Sequence, residues 1–128
     1  MVIYLFVAIG SALGGVLRHW LSMLLGDWAG QSFPWGTLTV NVTGCFAVGF
    51  FAALTEASGP VFIPTEWRQF FIVGFCGGFT TFSSFSLQTL TLAQFGEWRS
   101  SAMNVGLSIT LCLLSVWLGS LSALSLNR

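Results

Sequence analysis

The chain has 128 residues, of which 6% are charged and 55% are hydrophobic. Soluble domains carry about 25% charged residues, so this composition excludes an ordinary water-soluble enzyme and a disordered chain. Its four positive charges are balanced by four acidic residues, which excludes the basic face that a nucleic-acid binder needs. Because a membrane-spanning helix takes about 20 apolar residues, the length accommodates four spans and no additional soluble domain.

The hydrophobic pattern predicts an all-α integral membrane protein, multi-pass in the cell membrane and forming a single domain over residues 1–128. The approximate spans are 2–25, 37–54, 67–92 and 102–126. Most of the six tryptophans lie near the ends of these spans, as is typical of rings at the headgroup level. The three cysteines lie inside apolar runs, which favours small buried hydrophobic residues over a disulfide framework or a metal site.

The first span carries small or polar residues at helical spacing, which predicts a helix–helix interface. These residues are Ala8, Ser11, Gly15, Arg18 and Ser22. Arg18 has two interpretations. Its side chain either extends to the headgroups or forms a positive vestibule that draws anions to a pore mouth.

Asn41 is the most informative polar residue of the second span. An amide at this depth needs hydrogen-bond partners or water, because an unpaired polar group in hydrocarbon is costly. A simple hydrogen bond between helices and a donor role toward a ligand both satisfy that need.

The third span is predicted to be broken near Gly77–Thr81. Two adjacent glycines weaken a helix by about 2 kcal/mol relative to alanine. The alternative is that the glycines permit tight packing between helices. We favour the break because polar residues follow at once, and its freed carbonyls could bind a cation.

Two phenylalanines follow the break on one helical face, Phe82 and Phe85. Rings at this spacing usually serve packing. The alternative uses the positive edge of each ring to hold a small anion, helped by neutral hydroxyl and amide donors. Such a site would bind weakly enough for an anion to leave, as conduction requires.

The fourth span has a face of small and weakly polar residues, which again predicts an interface. Its members are Asn104, Ser108, Cys112, Ser115, Gly119 and Ser122. Across the four spans the arginines divide evenly, with Arg18 and Arg99 on one side and Arg68 and Arg128 on the other. The positive-inside rule therefore gives no orientation. Either the chain inserts both ways and pairs as an antiparallel homodimer, or something other than arginine count fixes one orientation.

Together these motifs resemble the Fluc/CrcB family of fluoride channels over essentially the whole chain. The matching residues are Gly14 and Arg18, then Trp35-Gly36-Thr37-Leu38 before Asn41, and Gly77-Gly78-Phe79-Thr80-Thr81-Phe82-Ser83-Ser84-Phe85-Ser86. The resemblance implies a fluoride-selective channel that exports cytoplasmic fluoride passively. It also implies an antiparallel dual-topology homodimer with two pores, each lined by both subunits.

The resemblance further assigns residues to roles. It implies ring edges from Phe82 and Phe85, a donor at Asn41 and a vestibule arginine at Arg18. Backbone carbonyls of Gly77 and Thr80 from both subunits would hold a central structural sodium ion (Na+). The expected polar track comprises Ser83, Ser84, Ser86 and Ser108.

Two positions depart from some relatives, since Gln88 stands where they carry Glu and Asn104 where they carry Tyr. The chain lacks a catalytic constellation, because its single His19 has no evident acidic or cysteine partner. The alternative function is a small multidrug-resistance-type exporter, but that class needs a carboxylate in its first span. A third hypothesis is a non-transporting subunit of a larger membrane complex.

Overall fold

The computed structural model describes residues 1–126 and is helical in all of its secondary structure over that range. Four spans are long and apolar enough to cross a membrane, which confirms the predicted all-α architecture. The first span ends later than expected and the third begins slightly earlier. The spans are α1 (Val2–Ala29), α2 (Trp35–Leu54), a composite third span (Thr65–Gln94) and α6 (Trp98–Ser125).

The third span consists of several helical pieces. It begins with α3 (Thr65–Gln69), continues as a π-helical segment (Phe70–Cys76) and α4 (Gly77–Phe79), and resumes as α5 (Phe82–Gln94). Between α4 and α5 the backbone is extended at Thr80 (φ −84°, ψ 156°) and Thr81 (φ −149°, ψ 113°). The two glycines are part of α4, and the β-branched threonines adopt the extended conformation that suits them.

The glycines of the third span pack against α1. A Cβ on Gly78 would lie 2.5 Å from the Ser11 carbonyl oxygen, and one on Gly14 would collide with the Phe75 carbonyl. The close packing that the sequence offered as an alternative therefore holds at Gly78. Gly77, in contrast, meets its nearest neighbour at an ordinary 3.9 Å.

The predicted α1 interface is partly wrong. Ser11 lies on it, but Ala8 is exposed and a Cβ on Gly15 would meet nothing within 4 Å. The buried residues of α1 are Gly10 and Gly14, because only glycine lets the two backbones approach this closely.

The second helix pair is formed by α2 and α6. Gly49 of α2 packs on Val116, and the Ser115 hydroxyl donates to the Val42 carbonyl at 2.8 Å. The predicted α6 face is confirmed at four buried positions, while Ser122 is exposed. The buried positions are Asn104, Ser108, Ser115 and Gly119.

Two of the arginines lie at the ends of spans, since Arg99 is in the first turn of α6 and Arg68 is in α3. Arg18 differs, because it lies about three turns before the end of α1 and close to the middle of that helix. Arg128, which the charge argument also used, lies outside the described residues.

Candidate functional site

Asn41 is bonded to the extended part of the third span in both directions. Its side-chain Nδ2 donates to the Thr81 carbonyl at 3.0 Å, and the Thr81 N–H donates to Asn41 Oδ1 at 2.7 Å. Both residues are buried. One amide on α2 therefore partners both the N–H and the carbonyl of Thr81, and an interrupted helix in hydrocarbon needs such partners.

This pairing changes the hydrogen bonding of the neighbouring carbonyls. In an α-helix the N–H of Thr81 would close the turn on the carbonyl of Gly77. That N–H is instead donated to Asn41. The Thr80 N–H still donates to the Cys76 carbonyl, but Thr80 is extended, and the Ser84 N–H that a continuous helix would give to the Thr80 carbonyl is donated to the Thr81 hydroxyl. The carbonyls of Gly77 and Thr80 therefore lack the N–H donors that they would have in a continuous helix.

Thr81 begins the second half of the span. Its Oγ1 is the N-cap of α5, accepting the Ser84 N–H at 3.1 Å, and the Thr81 hydroxyl donates to Ser84 Oγ at 3.1 Å. The Ser83 hydroxyl lies 3.3 Å from the same oxygen. Sequence analysis gave Thr81 no role, although threonine directly before a helical run is a usual N-cap signal.

Two helix ends of opposite polarity meet at Thr80 and Thr81. The helical residues 65–79 finish with carbonyls, and α5 starts with N–H groups. Helix ends carry about half an elementary charge, negative at the carbonyl end and positive at the N–H end. The interruption therefore offers a cation-attracting end and an anion-attracting end within one span.

A cavity of about 320 Å³ adjoins this interruption. Its wall joins the second, third and fourth spans and mixes aromatic, small and polar side chains. The lining residues are Asn41, Cys45, Thr80, Thr81, Phe82, Phe85, Ser108, Ile109, Cys112 and Leu113. The structure thus brings together four of the predicted pathway residues with Thr80, and none of the lining residues carries a formal charge.

The two predicted phenylalanines differ in their surroundings. Their ring centroids are 5.3 Å apart with planes inclined at 50°. Phe85 is 8% exposed, whereas Phe82 is 78% exposed. Both rings border the cavity, but most of the surface of Phe82 lies on the outside of the chain.

The remaining predicted residues do not line this cavity. Ser84 is bonded to Thr81, and the Ser86 hydroxyl donates to the Phe82 carbonyl at 2.9 Å. Ser83 and Ser86 are exposed. Arg18 is partly buried on α1, a helix that contributes no residue to the cavity.

A second cavity, of about 500 Å³, lies at the α1–α2 turn and reaches α5. Ser22, one turn after Arg18, is part of its wall, as are Thr37 and Gln88. Gln88 Oε1 is the one buried side-chain oxygen or nitrogen without a hydrogen-bond partner in residues 1–126.

Asn104 belongs to a polar cluster that joins α5 to α6. Asn104 is 2% exposed, and its Nδ2 donates to Thr89 Oγ1 at 2.9 Å. The Ser101 hydroxyl donates to the Thr89 carbonyl at 3.0 Å, and the Ser108 hydroxyl donates to Asn104 Oδ1 at 3.4 Å. This cluster was not predicted, because its partners lie on different helices.

Four apolar spans, of which the third is interrupted beside a cavity lined by rings and a few neutral polar groups, define a multi-pass membrane protein. Residues 5–120 match the family model described as CrcB-like protein, Camphor Resistance (CrcB). The chain belongs to the CrcB family, and the resemblance drawn from its motifs is confirmed.

Three curated relatives illustrate the similarity, and each is named fluoride-specific ion channel FluC. The protein of Paramagnetospirillum magneticum is 58% identical over 128 residues, covering 100% of both chains. That of Rhodospirillum rubrum is 60% identical over 98% of this chain and 97% of its own. That of Methylocella silvestris is 49% identical over 98% and 95%. These names are those of channels, so the family is not one of enzymes.

Proposed function

We propose that the protein is a fluoride-selective channel through which cytoplasmic fluoride leaves the cell passively. The observation that carries this proposal is the cavity beside the interruption, where Phe82, Phe85 and Asn41 meet without any formal charge. The names of the relatives supply the identity of the ion.

The neutral wall accounts for both binding and release of an anion. Ring edges are positive, so Phe82 and Phe85 can face an anion with their C–H groups. The Asn41 amide has two N–H groups, of which one is bonded to Thr81 and the second is left for an anion. The N-terminus of α5 adds a further positive potential. None of these groups holds an anion as tightly as a buried arginine would, which permits conduction.

The polar hydroxyls on the outer face of α5 support an antiparallel homodimer. Ser83 and Ser86 are exposed beside the exposed ring of Phe82, in the middle of a span. Polar groups at this depth are expected against protein or a water-filled path and not against lipid. A second copy would cover them and complete two pores, each lined by both subunits. Ser83, Ser84, Ser86 and Ser108 would form the polar track.

The carbonyls of Gly77 and Thr80, which lack their helical N–H donors, support a structural sodium site. Carbonyl oxygens are the ligands that hard cations take, and such ions use about six of them. Two carbonyls from one chain leave the set incomplete, and the same pair from the second copy would raise it to four at the dimer centre. There the ion would neutralise carbonyl ends and join the subunits.

Arg18 would act outside the cavity as a vestibule charge. Arg18 is one helical turn from Ser22, which lines the second cavity, and it does not line the first. Its charge can therefore raise the local anion concentration without holding the ion in the first cavity.

Efflux from liposomes tests the proposal. Purified protein in potassium fluoride or potassium chloride liposomes should release fluoride and retain chloride. Equal release of both ions, or release of neither, would overturn the function.

The aromatic contribution has its own test. Phe82→Ile and Phe85→Ile should each lower fluoride efflux while the dimer stays assembled, as judged by gel filtration. Phe75→Ile is the matched control, because Phe75 stacks between Phe71 and Phe79 away from the cavity. Undiminished efflux in both cavity variants would remove the ring-edge mechanism.

The sodium proposal is tested by replacing sodium with a bulky organic cation. The dimer in detergent should then lose thermal stability, and sodium should restore it. A melting temperature indifferent to sodium would show that Gly77 and Thr80 do not bind it.

A further inference from the structure

Two of the three cysteines border the cavity, one on each helix of the α2–α6 pair. Cys45 and Cys112 are free thiols, each partly accessible, and both line the cavity beside Asn41 and Phe85. The proposed function gives neither of them a role. Cys76 differs, since it is 3% exposed and is not among the lining residues.

The packing of the two helices brings these thiols together. Gly49 packs on Val116, and one helical turn earlier on both helices stand Cys45 and Cys112. Both residues line the same cavity, so this register places the two thiols on facing helices at one site. The pair is 67 positions apart in the sequence, so no local spacing such as CxxC announces it.

We propose that Cys45 and Cys112 form a two-thiol site for a soft divalent metal ion that prefers linear coordination, for which Hg2+ is the probe. Thiolates are the protein ligands that soft metals select. Binding forms two metal–sulfur bonds and breaks two S–H bonds, and the two protons pass to water. The product is a neutral bis-thiolate, so no net charge is left in a low-dielectric site.

The ligand count selects against other metals. Zinc takes four protein ligands in structural sites and three in catalytic ones. Within residues 1–126 no group of three or more histidine, cysteine or carboxylate side chains could hold a metal ion. A metal that is satisfied by two sulfurs fits this pair, and one that needs a larger set does not.

Metal binding at this pair would affect anion passage, because the pair lines the cavity. A metal between Cys45 and Cys112 would occupy part of a cavity of about 320 Å³ at the level of Phe85 and Asn41. Occupation there would close the anion pathway. This consequence rests on the proposed channel function, whereas metal binding itself does not.

Metal binding is measured first, without reference to transport. Reduced full-length protein in detergent is titrated with mercuric chloride and followed by ultraviolet charge-transfer absorbance and by intact mass spectrometry. One ion per chain is expected. Loss of an outer ligand partner costs about 10–100-fold in metal affinity, so loss of a direct ligand should cost at least about 100-fold.

Matched variants locate the site. Cys45→Ser and Cys112→Ser should lose tight binding, and the apolar Cys45→Ala and Cys112→Ala should do the same if a serine impairs folding. Cys76→Ser should bind as the wild type does. Retained binding in the Cys45 or Cys112 variants, or its loss in Cys76→Ser, would overturn the site.

Transport is measured second, in liposomes. Mercuric chloride should block fluoride efflux in wild type and in Cys76→Ser, and spare each Cys45 and Cys112 variant relative to its own untreated rate. Stoichiometric binding that leaves efflux unchanged would overturn the blocking role. Absence of fluoride efflux before any metal is added would instead count against the proposed channel function.

Discussion

The third span and α6 are both long enough to cross a membrane, yet their backbones differ. The backbone of α6 is one continuous helix, and the Ser122 and Ser115 hydroxyls donate to carbonyls of the same helix and of α2. In the third span the backbone is extended at Thr80 and Thr81, and the Asn41 side chain from α2 makes hydrogen bonds with Thr81.

The difference shows where a membrane protein can leave polar groups for a ligand. A continuous helix satisfies its own backbone, so its polar side chains serve mainly to join helices. An interrupted helix exposes a carbonyl end and an N–H end, and needs an outside partner to stay stable. Asn41 is that partner.

The largest effect is expected for Asn41→Leu. It leaves the N–H and the carbonyl of Thr81 without their Asn41 partner, at about 1–3 kcal/mol for each group. Asn104→Leu is the matched control, because Asn104 is equally buried but bonds to side-chain hydroxyls that can rotate. Thermal unfolding in detergent should show a clearly larger loss for Asn41→Leu. Equal losses would mean that the interruption does not depend on Asn41.

Alanine at the paired glycines separates packing from helix propensity. Gly78→Ala places a methyl group 2.5 Å from the Ser11 carbonyl oxygen and should destabilise by about 1–3 kcal/mol. Gly77→Ala meets no close neighbour and should stabilise by up to about 1 kcal/mol. The melting temperatures of the two variants should therefore lie on opposite sides of the wild-type value. A stabilising Gly78→Ala would disprove the close packing on α1.

The N-cap is the next test. Thr81→Val keeps the shape of the side chain but removes the oxygen that accepts from Ser84, which should cost about 0.5–2 kcal/mol. Thr80→Val loses a bond to the Cys76 carbonyl, which still accepts the Thr80 N–H at 2.9 Å. Thr80→Val should thus be the milder change in the same unfolding assay, and the reverse order would contradict the assignment of the cap.

The smallest effects belong to α6. Ser115→Ala removes a hydrogen bond between α6 and α2 and should cost about 1 kcal/mol. Ser122→Ala removes an exposed bond within one helix and should change stability by less than about 0.5 kcal/mol. A Ser122→Ala loss as large as that of Ser115→Ala would show that the outer face of α6 is not merely lipid-facing.

The spans, the α6 face and the proximity of Phe82 to Phe85 could be predicted because each depends on local spacing. The sequence alone could not show which of the two glycines is needed for close packing, because Gly77 and Gly78 have the same low helix propensity. Only the neighbouring α1 backbone distinguishes the packed glycine from the open one.

The hydrogen bonds of the site also lie beyond local spacing. Asn41 and Thr81 are 40 positions apart, and the sequence left Asn41 with two possible roles. In the structure Asn41 is bonded to Thr81, and the second N–H of its amide is left for a ligand. The N-cap role of Thr81 has a local signal, but its pairing with Asn41 and the placement of Cys45 and Cys112 at one cavity depend on which helices become neighbours.

The most direct test of this account is fluoride efflux from liposomes that contain equal amounts of Asn41→Leu or Asn104→Leu protein. If the interrupted span forms the pathway, Asn41→Leu should abolish efflux while Asn104→Leu stays within a few-fold of wild type. Wild-type efflux through Asn41→Leu would contradict the account, because the opened backbone and its amide partner would then be unnecessary for conduction.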